Sequence, residues 1–151
     1  MTIEQELKMT NFQSYQHKTA LNILFTANWL HARTHAILKD FWLSSEQFNV
    51  LRILRGQHPT AICLKNITER MLDRNSNTTR IVEKLVLKNL VLRTQSSEDR
   101  RELQILITNE GLATLAKIDT LFNEEQAHIA PNLSEDECTL LNQLLDKIRD
   151  I

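Results

Sequence analysis

Between Asp73 and Lys84 the chain strings together small polar and cationic side chains: Arg74, Asn75, Ser76, Asn77, Thr78, Thr79, Arg80 and Lys84. Amides and hydroxyls of this size hydrogen-bond base edges in a duplex groove, while long cations reach phosphates. A second charged run, Ser96-Ser97-Glu98-Asp99-Arg100-Arg101, lies further on. An arginine at the tip of such a loop can enter a narrow minor groove, where the negative potential is strongest. A carboxylate such as Asp99 can hold that arginine extended through a charge-assisted bond. On a merely solvated helix and hairpin the same side chains would make surface ion pairs of little energetic weight.

Other reactive side chains are scattered. Cys63 and Cys138 have no metal-ligand spacing and fit no secreted disulfide framework, so buried, inert thiols are the expectation. His31 and His35 are four apart on one helix face, as a metal pair would be, but the sequence near them offers no carboxylate to complete a site. Trp29, Phe41 and Trp42 could line an apolar pocket, though packing is the ordinary role of aromatics. There is no glycine-rich phosphate loop and no nucleophile elbow. No catalytic residue, metal or cofactor is therefore expected, and the chain does not read as an enzyme.

The elements that must position the polar run follow from periodicity. Ile67 and Met71 bury one face of a short helix, and Ile81, Val82 and Leu85 bury one face of the next. The capping and turn residues Asp73 to Asn77 separate them. This is a helix-turn-helix whose second helix opens with the polar cluster, its N-terminal dipole favouring phosphate. Leu90 to Gln95 and Glu102 to Ile107 alternate as two strands, making the charged loop between them a wing. Asn89 can take a left-handed cap at the end of the second helix. Ahead of this module, Leu43-Ser44-Ser45-Glu46-Gln47-Phe48 holds a capping box (Ser44, Gln47) and a hydrophobic staple (Leu43, Phe48). That helix runs to about Arg55, before Gly56 and Pro59, and Ala61-Ile62-Cys63 reads as a single bridging strand.

The flanks are helical. Residues Met1 to about Gln16 have weak periodicity and read as a mobile arm or a frayed first turn. From His17 to about Phe41 the pattern is apolar nearly all round, which in so short a chain points to a subunit interface. Thr108 can cap a long helix to about Ile129, with Gly111 in its first turn. After Pro131, Ser134 and Glu137 form another capping box, with Leu133 and Cys138 placed to staple. Leu141, Leu144, Leu145, Ile148 and Ile151 then make a seam for a partner helix.

The 151 residues suit one compact unit, and only two glycines and two prolines argue for long helices and short turns. The net charge of −1 hides an asymmetry. Lys65 to Arg101 carries nine cations against five carboxylates, a balance of +4, while Thr108 to Ile151 carries three against nine, a balance of −6. A basic middle suits a polyanionic partner. No apolar run is long enough to span a bilayer and no signal-peptide pattern opens the chain, so the expectation is cytoplasmic, with no membrane partner.

The order of elements resembles the multiple-antibiotic-resistance-regulator (MarR) family of bacterial transcription factors from about residue 20 to the C-terminus. Four stretches carry the resemblance: Ile67 to Met71, Thr79 to Leu85, Lys88 to Arg93, and Asp99-Arg100-Arg101 followed by Ile105 to Gly111. Asn89 and Leu72 stand where the family often has glycine. The resemblance implies a mainly α (α+β) fold. A winged helix-turn-helix lobe would span about 44–108, with dimerisation helices at about 17–42 and 109–151, all in one MarR-like domain. It further implies a homodimer on a pseudo-palindromic operator in double-stranded DNA, acting as a ligand-responsive repressor with a small-molecule effector of unknown identity. Asn75 to Arg80 would enter the major groove, Arg80 and Lys84 would serve mainly phosphates, and Asp99 and Arg101 would carry the wing contact. A winged-helix adaptor that binds protein and not DNA is the alternative; it would keep the helical seams and lose the basic face.

Overall fold

The structure is a computed structural model, and it describes residues 1–95, 103–129 and 132–150. The element order is α1 (Ile3–Leu7), α2 (Tyr15–Lys39), α3 (Ser45–Gln57), β1 (Ile62–Cys63), α4 (Leu64–Arg70), α5 (Thr78–Leu87), β2 (Val91–Gln95), β3 (Leu103–Ile107), α6 (Asn109–Ile129) and α7 (Glu135–Ile148). The fold is mainly helical, with one small antiparallel sheet of order β1-β3-β2. The two residues of β1 pair with β3, Ile62 with Ile105 and Cys63 with Gln104, and across β2–β3 Val91 pairs with Ile107 and Gln95 with Leu103.

Local chemistry sets the ends of these elements. The Ser44 hydroxyl accepts the Gln47 amide at 3.2 Å and the Gln47 side chain accepts the Ser44 amide at 3.0 Å, a complete capping box on α3. Leu43 and Phe48 are both buried beside it, as a staple requires. Asn89 has φ 58°, and the amides of Asn89 and Leu90 bond the carbonyls of Val86 (2.9 Å) and Leu85 (3.0 Å), so α5 ends in a Schellman turn. Thr108 caps α6 by accepting the Gly111 amide at 3.0 Å, and its hydroxyl donates to the Asn89 carbonyl at 2.8 Å, pinning the start of α6 to the end of α5. At Gly111 the first turn of α6 lies close against the Leu90 carbonyl and the Ile107 side chain.

The core lies between α3, α4, α5, the sheet and the first half of α6. Val50, Leu51, Ile67, Leu85, Val91, Ile105, Leu115 and Ile118 are fully buried there, joined by Leu38 from the end of α2. Phe48 stacks on Phe122, and Arg55 is ion-paired with Asp119, so α3 and α6 are clasped at two levels. Two expectations from the sequence need correction. The N-terminus is not a bare arm: Thr2 and Gln5 form a capping box on α1, Ile3 is buried, and Glu4 pairs with Lys18 on α2. The Leu133–Cys138 staple does not form a buried contact, since both residues are exposed although the Ser134–Glu137 box is in place.

Candidate nucleic-acid interface

The turn between α4 and α5 is built from its own polar groups. Met71, with φ −64° and ψ 140°, leaves the helix in an extended conformation after its amide bonds the Thr68 carbonyl. The Leu72 amide then donates to the Asn49 side chain on α3 at 2.9 Å. The Asp73 carboxylate collects the Asn75 amide (2.9 Å) and the Ser76 hydroxyl (3.2 Å). Asn77 caps α5, its side-chain oxygen accepting the Arg80 amide at 3.1 Å. Leu72 is not among the residues with positive φ, so the backbone at this position does not need glycine.

Of the residues singled out in the sequence, Arg74, Asn75, Asn77, Thr79, Arg80 and Lys84 are all exposed and Ser76 is half-buried; Ser76, Asn77, Arg80 and Lys84 line one cleft, while Thr79 faces Arg93 on the other side of α5. Asn77 and Ser76 each spend one polar atom on the turn, and the Asn77 amide nitrogen has no hydrogen-bond partner among the described residues. Thr78 does not belong with this set. It is 4% exposed, and its hydroxyl is hydrogen-bonded to that of Thr68 at 3.0 Å. Thr78, Val82 and Leu85 form the buried stripe of α5, so Thr78 joins α4 to α5 and offers nothing to a ligand. Asp99, Arg100 and Arg101 lie outside the described residues; the strands that carry them are in register from Val91–Ile107 to Gln95–Leu103.

Arg93 was counted in the sequence only as part of the basic stretch. It is exposed on β2, and it lines a small crevice with Thr79, Val82 and Ile105. The sheet thus sets another cation beside the first turn of α5. Nothing in strand periodicity showed that neighbour; it comes from the packing of β2 on α5. Among the described residues, Arg74, Arg80, Lys84 and Arg93 are in no ion pair. These cations stand unpaired there, although the Glu46 carboxylate lines the same cleft as Arg80 and Lys84.

Two open clefts flank α5. One, of about 460 Å³, runs between the N-terminus of α3 and the face of α5 bearing Asn77, Arg80 and Lys84. The other, of about 620 Å³, is bounded by His35, Lys39 and Trp42 from the end of α2, the α3 cap, and Lys84 and Lys88. Lys88 donates to the Trp42 carbonyl and, at 3.4 Å, to Gln47. Partial burial, helped by the neighbouring Lys84, pushes the Lys88 ammonium below its ordinary pKa. Beside it the Ser44 hydroxyl and the first amides of α3 hold the Glu46 carboxyl below the usual range. His31 and His35 are exposed, and no three His, Cys, Asp or Glu side chains cluster as a metal site among the described residues. Contrary to the expectation of buried thiols, Cys63 is only half-buried and Cys138 is exposed, and both are free.

Three helices on a three-stranded sheet, with the second helix of a tight turn presenting a cationic, amide-rich face beside a β-hairpin, define a winged helix-turn-helix protein. Its sequence matches the model of the MarR family over residues 43–103. It is 30% identical over 108 residues to the HTH-type transcriptional regulator MhqR of Bacillus subtilis, covering 70% of this chain and 72% of that one. The chain belongs to the MarR family. It spans about two thirds of the length of two further curated transcriptional regulators it matches (66% and 68%). Among solved structures, a MarR transcription factor from Planctomyces limnophilus is 29% identical with a TM-score of 0.69, covering 90% of this chain and 98% of that one. The MepR–DNA complex of Staphylococcus aureus shares the fold, with a TM-score of 0.78 at 19% identity over 91% of this chain and 97% of that one.

Proposed function

We propose that the protein is a sequence-specific, double-stranded-DNA-binding transcriptional regulator that acts as a homodimer on a pseudo-palindromic operator. The observation that carries this reading is the unpaired cationic and amide-bearing surface of α5, set beside Arg93 and the hairpin. Asn75, Asn77 and Thr79 read the major groove; Arg80 and Lys84, with Arg74 and Arg93, mainly serve phosphates; Asp99, Arg100 and Arg101 form the wing contact in the flanking minor groove. The lobe of about 44–108 binds DNA, and helices at about 17–42 and 109–151 join the two copies within a single MarR-like domain.

The homodimer is supported by apolar surface that a single chain leaves open. Of the 25 residues of α2 only Leu38 is buried, and α7 has no buried residue. Between them lies an apolar cleft of about 480 Å³ lined by Ile23, Ala27, Leu30, Leu141, Leu144 and Ile148. Large open apolar faces of this kind mark association surfaces. The cleft beside Trp42, Lys39 and Lys88 suits a small anionic or aromatic effector, which makes a ligand-responsive repressor the fitting regulatory mode. No described helix is long and apolar enough to cross a membrane, and a cytoplasmic location matches a chromosomal target.

The test is to incubate the purified protein with fragmented genomic DNA, sequence the bound fraction, and measure affinity for the selected duplex across a salt series. Enrichment of inverted repeats is expected, with affinity falling about 10³–10⁵-fold between about 50 and 200 mM salt if roughly six to ten phosphates are contacted. Sedimentation should give twice the chain mass. A stable monomer, or no enriched sequence and no salt dependence at low ionic strength, overturns the reading in favour of a protein-binding adaptor.

A further inference from the structure

We propose that Asn49 is a positioning residue for sequence readout: from the scaffold helix α3 it holds the helix-turn-helix turn in register. This deepens the DNA-binding reading and rests on it. Asn49 lies outside the turn and outside both of its helices. Its neighbours Phe48 and Val50 are buried in the core, so its backbone is fixed. Its side chain is half-buried, and its Oδ1 accepts the Leu72 amide at 2.9 Å. The donor is a backbone N–H, which assigns the Asn49 amide without ambiguity: oxygen faces Leu72.

The Leu72 amide is the point where the chain has just left α4. With Met71 extended, that N–H is carried away from the carbonyls of α4, and the Leu72 side chain is 89% exposed, so no packing holds the residue. From here to Asn77 the turn is bonded to itself through Asp73, Ser76 and Asn77. It behaves as one unit hung at two points. Thr78 fixes its far end through Thr68, and Asn49 fixes its near end. Freed at Leu72, the unit would pivot on the Thr68–Thr78 pair and shift Asn75 and Asn77 against the base edges. Phosphate contacts, made by long flexible cations, tolerate such a shift; directional hydrogen bonds to bases do not.

The test compares wild type with Asn49→Ala and Asn49→Asp. Three quantities are measured for each: affinity for the duplex selected from genomic DNA, affinity for a scrambled duplex of equal length, and hydrogen exchange of the Leu72 amide. Asn49→Ala is expected to lose Leu72 protection and to lower the selected-to-scrambled ratio by about tenfold, the worth of roughly one hydrogen bond. Its scrambled-duplex affinity should stay near wild type, and its melting temperature should fall by no more than a few degrees. Asn49→Asp keeps the acceptor; its added negative charge weakens both duplexes alike, so the ratio and the Leu72 protection should hold. An unchanged ratio in Asn49→Ala, where wild type does discriminate, overturns the role of Asn49 and leaves the DNA reading standing. A ratio lost equally in Asn49→Asp also overturns it. A wild type that discriminates no duplex overturns the DNA reading itself, and this role with it. If the alanine protein does not fold, retained ratio and protection in Asn49→Asp support the role and their loss rejects it.

Discussion

The two glycines of this chain make opposite predictions, and substituting each with alanine tests the packing of the lobe. A Cβ placed on Gly111 would lie 2.3 Å from the Leu90 carbonyl oxygen and 2.7 Å from Cγ1 of Ile107. Neither neighbour can turn aside easily. The Leu90 oxygen is backbone, already accepting the Thr108 amide at 3.1 Å, and Ile107 is buried in the register of β2 and β3. Relieving the contact means lifting the first turn of α6 off the hairpin by roughly 1 Å, a strain of about 1–3 kcal/mol or more by the usual cost of overpacking. Alanine returns up to about 1 kcal/mol through helix propensity. The net expectation for Gly111→Ala is a loss of roughly 1–2 kcal/mol, set by how far the contact exceeds the propensity gain. Gly56, near the end of α3, has nothing within 4 Å of its virtual Cβ. Gly56→Ala therefore keeps the propensity gain and should stabilise by up to about 1 kcal/mol. Urea unfolding followed by far-ultraviolet circular dichroism, at one fixed protomer concentration, reads both. Equal midpoints for the two variants would refute the close crossing of α6 over the hairpin.

Three further outcomes are expected. Ser44→Ala should cost about 1 kcal/mol as a lost helix cap. Because Glu46 is held below its ordinary pKa chiefly by Ser44, its stabilisation is present above the ordinary glutamate value and is lost as pH falls through the depressed one. The loss on substitution should therefore be larger at neutral pH than near pH ~3, and an equal loss in urea titrations at both would contradict the assignment. Leu144→Asp, at a half-exposed position on α7, should leave the single chain folded while halving the sedimentation mass; an intact dimer would move the interface elsewhere. Arg101→Ala should weaken binding of the selected duplex by about 1–3 kcal/mol with the dimer unchanged, and unaltered affinity in a salt-controlled gel-shift assay would remove Arg101 from the wing contact.

What could be read in the sequence divides along the range of the forces involved. Caps and turns are decided within a few residues, so the Ser44–Gln47 box, the Ser134–Glu137 box, the Thr108 cap and the left-handed Asn89 were all legible and all form. Gly111 was visible as a glycine in the first turn of a helix, but the reason for it, the Leu90 carbonyl, is a tertiary fact. The N-terminal helix was missed because its signal is a single capping box, Thr2 with Gln5, and its stability depends on Ile3 and the Glu4–Lys18 pair reaching another element.

The candidate site shows the same division within one helix. Composition placed Thr78 with the contact residues because it stands in an unbroken polar run. Periodicity argued otherwise: Val82 and Leu85, both recognised as core, extend back by four and seven residues to position 78, and that is the side of α5 found buried. A hydroxyl on that stripe must find an internal partner, and Thr68 supplies it. The opposite holds for Asn49 and Arg93. Each sits in an element whose pattern gives no hint of a role, and each gains one only when α3 and β2 are packed against the helix-turn-helix. The polar face of α5 is thus a local property of the chain, whereas its aim is fixed by residues distant in sequence. Substitutions at Asn49 or Thr68 should for that reason alter discrimination between duplexes more than they alter binding to DNA in general.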